Sequence, residues 1–357
     1  MKKFFRALSL VLCIAILAGA FSSCSKAVES TPVDIEDFRV TAYVTSDTCK
    51  DLSTFDTSHI ETVTDFIFFG AADFDEEGNV VLSDDFEISL NNLKQAISAY
   101  PDKKIYLNIL GPKAQNQDED WNAQMDDLGQ RHTNAFESGK LEGNIKTVLD
   151  KYGFDGVFFD YEFTISKKYW KAYDKFIISL DNVLGSEYEI GMALADWDIK
   201  QSDEAKQATD RIEIMSYDLW DDDGNHATME IAQNSIEKFV EAGYDKAKLD
   251  LGVPFYARPT TEEGYWYSYK DYYNDIDANG LYKDDETGLT FSFNTYSLIE
   301  EKTKYAIENG LGGMMIWHYA CDCPEDSGKS LFGAVSSAIE TEKAQLSDGA
   351  QNTADNA

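Results

Sequence analysis

Eight short apolar runs recur along this chain, and most of the gaps between them carry a helical pattern. The runs are FRVTAYV (38–44), DFIFFGAADF (65–74), KIYLNILG (104–111), FDGVFFDYE (154–162), YEIGMALADW (188–197), RIEIMSYDLW (211–220), KLDLGVPFY (248–256) and GLGGMMIWHY (310–319). Amphipathic spacing predicts helices near 89–100, 140–153, 167–185, 230–243, 296–309 and 330–342. Most of the runs are continuously apolar rather than alternating, as expected of parallel strands covered on both faces. Strand and helix in alternation mean α/β. Eight such units in about 300 residues point to a single (β/α)8 TIM barrel over 37–342 rather than an open sheet.

A barrel of this kind carries its site at the C-terminal ends of the strands. Several runs end there in polar or aromatic residues: Glu162, Trp197, Tyr217 with Asp218, Tyr256, and Trp317 with His318. The fourth run adds a constraint. Side chains alternate along a strand, so Phe158, Asp160 and Glu162 share one face. Two carboxylates on one strand end suit acid/base work, because the charge of one keeps the other protonated. Spacing alone equally allows two solvated acids capping a strand.

The formal charge of −34 argues against nucleic acid and anionic lipid as partners and leaves neutral or cationic ones; solubility alone would also account for it. Lys2, Lys3 and Arg6 precede an apolar run from Ala7 to Phe21, then Ser22, Ser23 and Cys24. That order is a secretory signal over 1–23, with Cys24 placed for lipidation as in a bacterial lipoprotein, or an ordinary cleaved leader. The chain is therefore expected to be exported and to meet a membrane only through that anchor. Residues 24–36 read as a linker and 343–357 as a disordered tail. No CxxC pair exists and the four histidines are scattered, so neither a metal nor a cofactor is expected.

FDGVFFDYE resembles the D-G-x-D-x-D-x-E strand of glycoside hydrolase family 18, the chitinase-like enzymes. MSYD (215–218) looks like that family's sixth strand, LGVPFYAR (251–258) its seventh and GLGGMMIW (310–317) its eighth, all in order. The resemblance implies a retaining, substrate-assisted glycosidase acting on β-linked N-acetylglucosamine glycans. It implies that Glu162 protonates the leaving oxygen, that Asp160 orients the substrate's N-acetyl group, and that Tyr217 hydrogen-bonds the acetamido carbonyl. Trp317 would lie under the sugar and Asp218 beside it. Asp155 would be structural.

Phe158 stands where the family has its first inward aspartate. An apolar ring there should disfavour the ionised form of Asp160 unless a donor such as Asn108 compensates. Trp197, Trp220 and Tyr256 follow strands closely and are candidates for sugar contacts; Tyr265, Trp266 and Tyr267 are open to either stacking or packing. Cys49 and Cys321 follow neighbouring strands at one face of the barrel, so Cys49 is expected to pair with Cys321 or Cys323. DIDANGLYKDDE (275–286) fits a calcium-loop pattern but lacks the helix that should follow. The stretch between the seventh and eighth strands leaves little room for an inserted domain, so the cleft should be open. A monomer is expected. Chitin oligomers, the N-glycan core and peptidoglycan stay open as substrates, and a lectin-like barrel that binds without cutting is the rival of another class.

Overall fold

The computed structural model of the protein describes residues 33–113, 120–160, 167–197, 199–261 and 264–354. Eight parallel strands close into a barrel: β1 (Arg39–Thr45), β2 (Asp65–Phe69), β3 (Lys104–Ile109), β4 (Gly156–Asp160), β5 (Glu189–Leu194), β6 (Arg211–Ile214), β7 (Leu249–Pro254) and β8 (Gly313–Trp317), with β8 pairing back onto β1. All eight expected strands are present. β2, β3 and β5 to β8 end before their apolar runs do, and there the chain leaves the sheet to build loops.

The described helices longer than four residues are α1 (Phe86–Ala96), α2 (Trp121–Phe136), α3 (Leu141–Tyr152), α4 (Lys167–Leu184), α5 (Asp203–Ala208), α6 (Met229–Glu241), α7 (Tyr296–Glu308) and α8 (Leu331–Ala354). Caps follow the sequence. Thr228 and Thr295 accept backbone N–H groups at the starts of α6 and α7, and α3 ends where Gly153 takes a left-handed φ of 63°. Alternation sorts the strand residues into two cores. Val40, Phe66, Leu107, Val157, Ile190, Ile212, Leu251 and Ile316 face the helices. Tyr43, Ile67, Tyr106, Phe158, Ala193, Met215 and Met315 fill the barrel.

Four differences from the sequence reading stand out. α2 has no apolar signature strong enough to predict it. Its Gly129 is needed because the Tyr169 ring lies where a Cβ would go. Between β7 and β8 a small antiparallel sheet of Tyr256–Pro259, Tyr267–Ser268, Leu281–Lys283 and Thr290–Ser292 stands where little room for an insertion was expected. α8 runs on to Ala354, through residues read as a disordered tail; Ala344, Gln345 and Leu346 are good helix formers, and Lys343 pairs with Glu36 at 2.9 Å. Finally, Cys49, Cys321 and Cys323 are all free and buried. The Cys321 thiol lies 3.2 Å from His318 Nε2 and that of Cys323 lies 3.2 Å from Ser327 Oγ, so neighbouring strands did not bring the sulfurs to face each other.

Candidate active site

At the C-terminal end of the barrel a cavity of about 250 Å³ gathers side chains from β1, β2, β4, β5, the segment after β6, the inserted sheet and β8. Asp160 enters it from the end of β4, Tyr217 and Asp218 from the turn after β6, and Trp317 from the end of β8. Four of the residues singled out from sequence thus converge on one hollow. Tyr256 also lines it. Glu162 and Cys24 lie outside the described residues.

Trp317 is held by rings on two sides. Phe69 meets it edge-on at 4.9 Å and Tyr43 lies at 5.3 Å. The Trp317–His318 peptide is cis. Tyr217 is braced against Tyr256 at 6.2 Å and against Met315 Sδ at 3.9 Å. Tyr43 is buried with its hydroxyl unpaired among the described residues. Burial first, then the charges of Glu213 and Asp160, raise its pKa and keep it protonated.

Asp218 is tied by several donors. Arg258 grips it with two donors, Nε to Oδ1 at 2.8 Å and Nη2 to Oδ2 at 2.6 Å. The Tyr256 hydroxyl donates to Oδ1 at 2.6 Å. Burial alone would raise the Asp218 pKa, but the two Arg258 donors, and after them the Tyr256 hydroxyl, hold it well below the usual carboxylate range. The backbone here is left-handed, with φ 55°, a conformation aspartate tolerates better than most residues. The Asp218 N–H donates to His226 Nε2 at 2.9 Å, so that nitrogen carries no proton. Tyr256 therefore orients Asp218 as well as lining the cavity.

The other aromatic candidates separate. Trp197 is 59% exposed and stands over an adjoining hollow of about 110 Å³ that shares Met215, Tyr217 and Asp218 with the first. Trp220 lines neither hollow; its indole N–H donates to the Pro259 carbonyl at 3.0 Å and ties the loop to the inserted sheet. Trp266 does line the main cavity, stacked between Tyr256 at 5.2 Å and His318 at 5.9 Å. The YWY run flagged it, but its position depends on a sheet the sequence did not reveal. Arg258 had no sequence signal beyond its place in LGVPFYAR.

Beneath the cavity, Phe158 is fully buried and packs on Tyr106 at 5.0 Å. Gly191 on β5 leaves room for its ring; a Cβ there would collide with it. Asn108 directs its amide to the Phe158 carbonyl at 3.4 Å. Asp155 accepts the Ile105 N–H at 2.7 Å, a structural use. In the calcium-like loop, Asp277 and Asp284 accept N–H groups of their own turns, and the segment carries Leu281–Lys283, one strand of a hairpin with Thr290–Ser292, rather than leading into a helix.

The model of the family "Glycosyl hydrolases family 18" matches residues 39–322. A curated relative, the secreted chitinase LysM12 of Penicillium expansum, is 29% identical over 215 residues; the match covers 51% of this chain and 14% of that protein. The fold is also that of solved chitinases. The GH18 chitinase ChiB of Flavobacterium johnsoniae superposes with TM-score 0.66 at 21% identity, over 85% of this chain and 94% of that one. A chitinase from Bacteroides thetaiotaomicron gives 0.67 at 18%, over 85% and 96%. A class V chitinase from Nicotiana tobaccum in complex with NAG4 gives 0.66 at 16%, over 84% and 98%.

Proposed function

Since the chain belongs to glycosyl hydrolase family 18, we propose that it hydrolyses β-linked N-acetylglucosamine glycans, chitin oligomers first among them, with retention of configuration. The observation that carries this reading is the convergence of Asp160, Tyr217, Asp218 and Trp317 on one cavity at the C-terminal end of a family 18 barrel.

Each residue then has a task. Glu162 gives its proton to the leaving glycosidic oxygen. The substrate's own acetamido oxygen attacks the anomeric carbon from the opposite face and forms an oxazolinium ion; water then opens it, with Glu162 taking the proton back. Asp160 orients the acetamido N–H and Tyr217 holds its carbonyl, so the attacking oxygen is aimed before the bond breaks. Trp317 offers an apolar surface to the sugar ring. Asp218, ionised by its partners, accepts a sugar hydroxyl. Trp197 and Trp266 extend the aromatic surface to either side. The charge of −34 favours a neutral glycan over an acidic one. GVPFYAR and GGMMIW favour chitin over the N-glycan core or peptidoglycan. Export with an anchor at Cys24 fits a polymer found outside the cell.

The test is a product screen on chitooligosaccharides, a high-mannose glycoprotein and peptidoglycan, run beside the Glu162→Gln variant. Wild type should release products from the chitooligosaccharides. The variant should lose about 10²–10⁴-fold or more in kcat and still bind. A variant with most of its activity contradicts the assignment of Glu162. Binding without cleavage of any substrate by the wild type identifies a lectin.

A further inference from the structure

Behind the cavity, the loop from Tyr217 to Thr228 is held by a lysine that the chemistry above does not use. Lys302 lies on α7 and is fully buried. Its Nζ donates to the Ala227 carbonyl at 2.5 Å and to Asn294 Oδ1 at 2.6 Å. Asn294, also buried, donates through Nδ2 to the carbonyls of His226 and Ala227, each at 3.3 Å. These acceptors are neutral oxygens, and burial pushes the amine's pKa down to about 7. Glu301, on the same helix, acts in the opposite sense. A methionine would fill this space without the cost of burying an amine. The amine thus brings something that packing alone does not.

What it brings is control of a strained turn. Among the described residues, Asp218 (φ 55°) and Ala227 (φ 50°) are the non-glycine residues with positive φ, and both belong to this loop. Such backbone persists only where its surroundings hold it. The Ala227 N–H donates to the Leu219 carbonyl at 2.9 Å. The His226 imidazole accepts the Asp218 N–H at 2.9 Å. Lys302 and Asn294 fix the carbonyls of His226 and Ala227 on the far side of the same turn.

We propose that Lys302 is a positioning residue of the active site. It fixes Ala227 and, through Asn294 and His226, the left-handed backbone of Asp218, and so the aim of Tyr217 and Asp218 into the cavity. The kinetic consequence rests on the glycosidase reading; the structural one does not.

The experiment compares wild type with Lys302→Met by nitrogen NMR of the His226 imidazole and by kinetics on a chitooligosaccharide. The variant should shift the His226 ring signals, as its contact with the Asp218 N–H loosens, and lower kcat/KM by about 10²-fold. Ile299→Ala, an equally buried change on α7, should lower Tm while leaving both readouts in place, which separates positioning from plain destabilisation. If Lys302→Met fails to fold, Asn294→Asp serves instead: it keeps an acceptor for the amine but removes both donors to the loop, and should give the same shift. Unmoved His226 signals in either folded variant overturn the proposal. Shifted signals with unchanged kcat/KM overturn it as well. If wild type cleaves no glycan, the glycosidase reading fails and the His226 signals alone decide this one.

Discussion

Phe158 sits where β4 could carry a third carboxylate, and the barrel is shaped around its ring. Gly191 makes the space, Tyr106 packs on one side, and the Arg211 guanidinium lies 5.2 Å from the ring centre. Asn108 faces the Phe158 carbonyl, so the compensation imagined for Asp160 from sequence is not what its amide is used for. Phe158→Asp should cost roughly 3–5 kcal/mol by loss of a core ring, with more for burying a carboxyl, but with no Asn108 donor serving Asp160 it should raise kcat in the folded fraction. An unchanged or lower kcat, measured beside a denaturation curve, would mean the ring only packs. Lower in the barrel, Glu213 is fully buried with neither oxygen hydrogen-bonded among the described residues and Arg211 Nη2 at 3.7 Å. Burial, and then the nearby Asp250 carboxylate, raise its pKa. A carboxyl raised in the folded state favours folding below the unfolded value of about 4.3, and that contribution is lost as pH rises above it. Glu213→Gln should flatten the fall of Tm with rising pH and gain on the order of 1–3 kcal/mol at pH 8. An unchanged slope would place the penalty elsewhere.

Among the elements, the inserted sheet does most to complete the site. It supplies Tyr256, Arg258 and Trp266 to one wall of the cavity, and Trp220 ties the β6 loop to it. Trp266→Ala should raise KM several-fold, about 1 kcal/mol of ring stacking, with a smaller change in kcat. Trp220→Ala should lower Tm and leave KM near wild type. Steady-state kinetics with thermal melts separate the two, and the reverse pattern would contradict this division of labour. The same sheet marks the limit of what the sequence allows to be read. Barrel strands are legible because a strand buried on both faces is an unbroken apolar run. Strands of two to four residues, such as Tyr267–Ser268, are too short to express a period. α2 is hidden by its polar surface and by a glycine that only the Tyr169 ring explains. Asp160, Tyr217, Asp218 and Trp317 were legible because strand ends carry them. Arg258 and Trp266 reach the cavity through tertiary folding of the insertion, which no local pattern encodes. The cysteines show the same limit: adjacency of strands follows from topology, but the direction of a thiol does not.

Across the whole molecule the barrel interior is layered. At its base Arg211 meets Asp65, Glu189, Glu213 and Asp250 within 3.3–3.7 Å, and Arg39 pairs with Asp250 at 2.6 Å. Above them Tyr43, Ile67, Tyr106, Phe158, Met215 and Met315 form an apolar plug. The cavity with Asp160, Tyr217 and Trp317 rests on that plug. The plug keeps these buried charges out of contact with the cavity, but so apolar a layer does not screen them, and Glu213 still acts on Tyr43 in the cavity wall. On the proposed mechanism an oxazolinium ion forms by attack of the substrate's own acetamido group. Proton NMR of the first minutes of chitooligosaccharide hydrolysis tests it directly. New reducing ends should appear first as the β-anomer and only later mutarotate; early appearance of the α-anomer would exclude attack by the acetamido group.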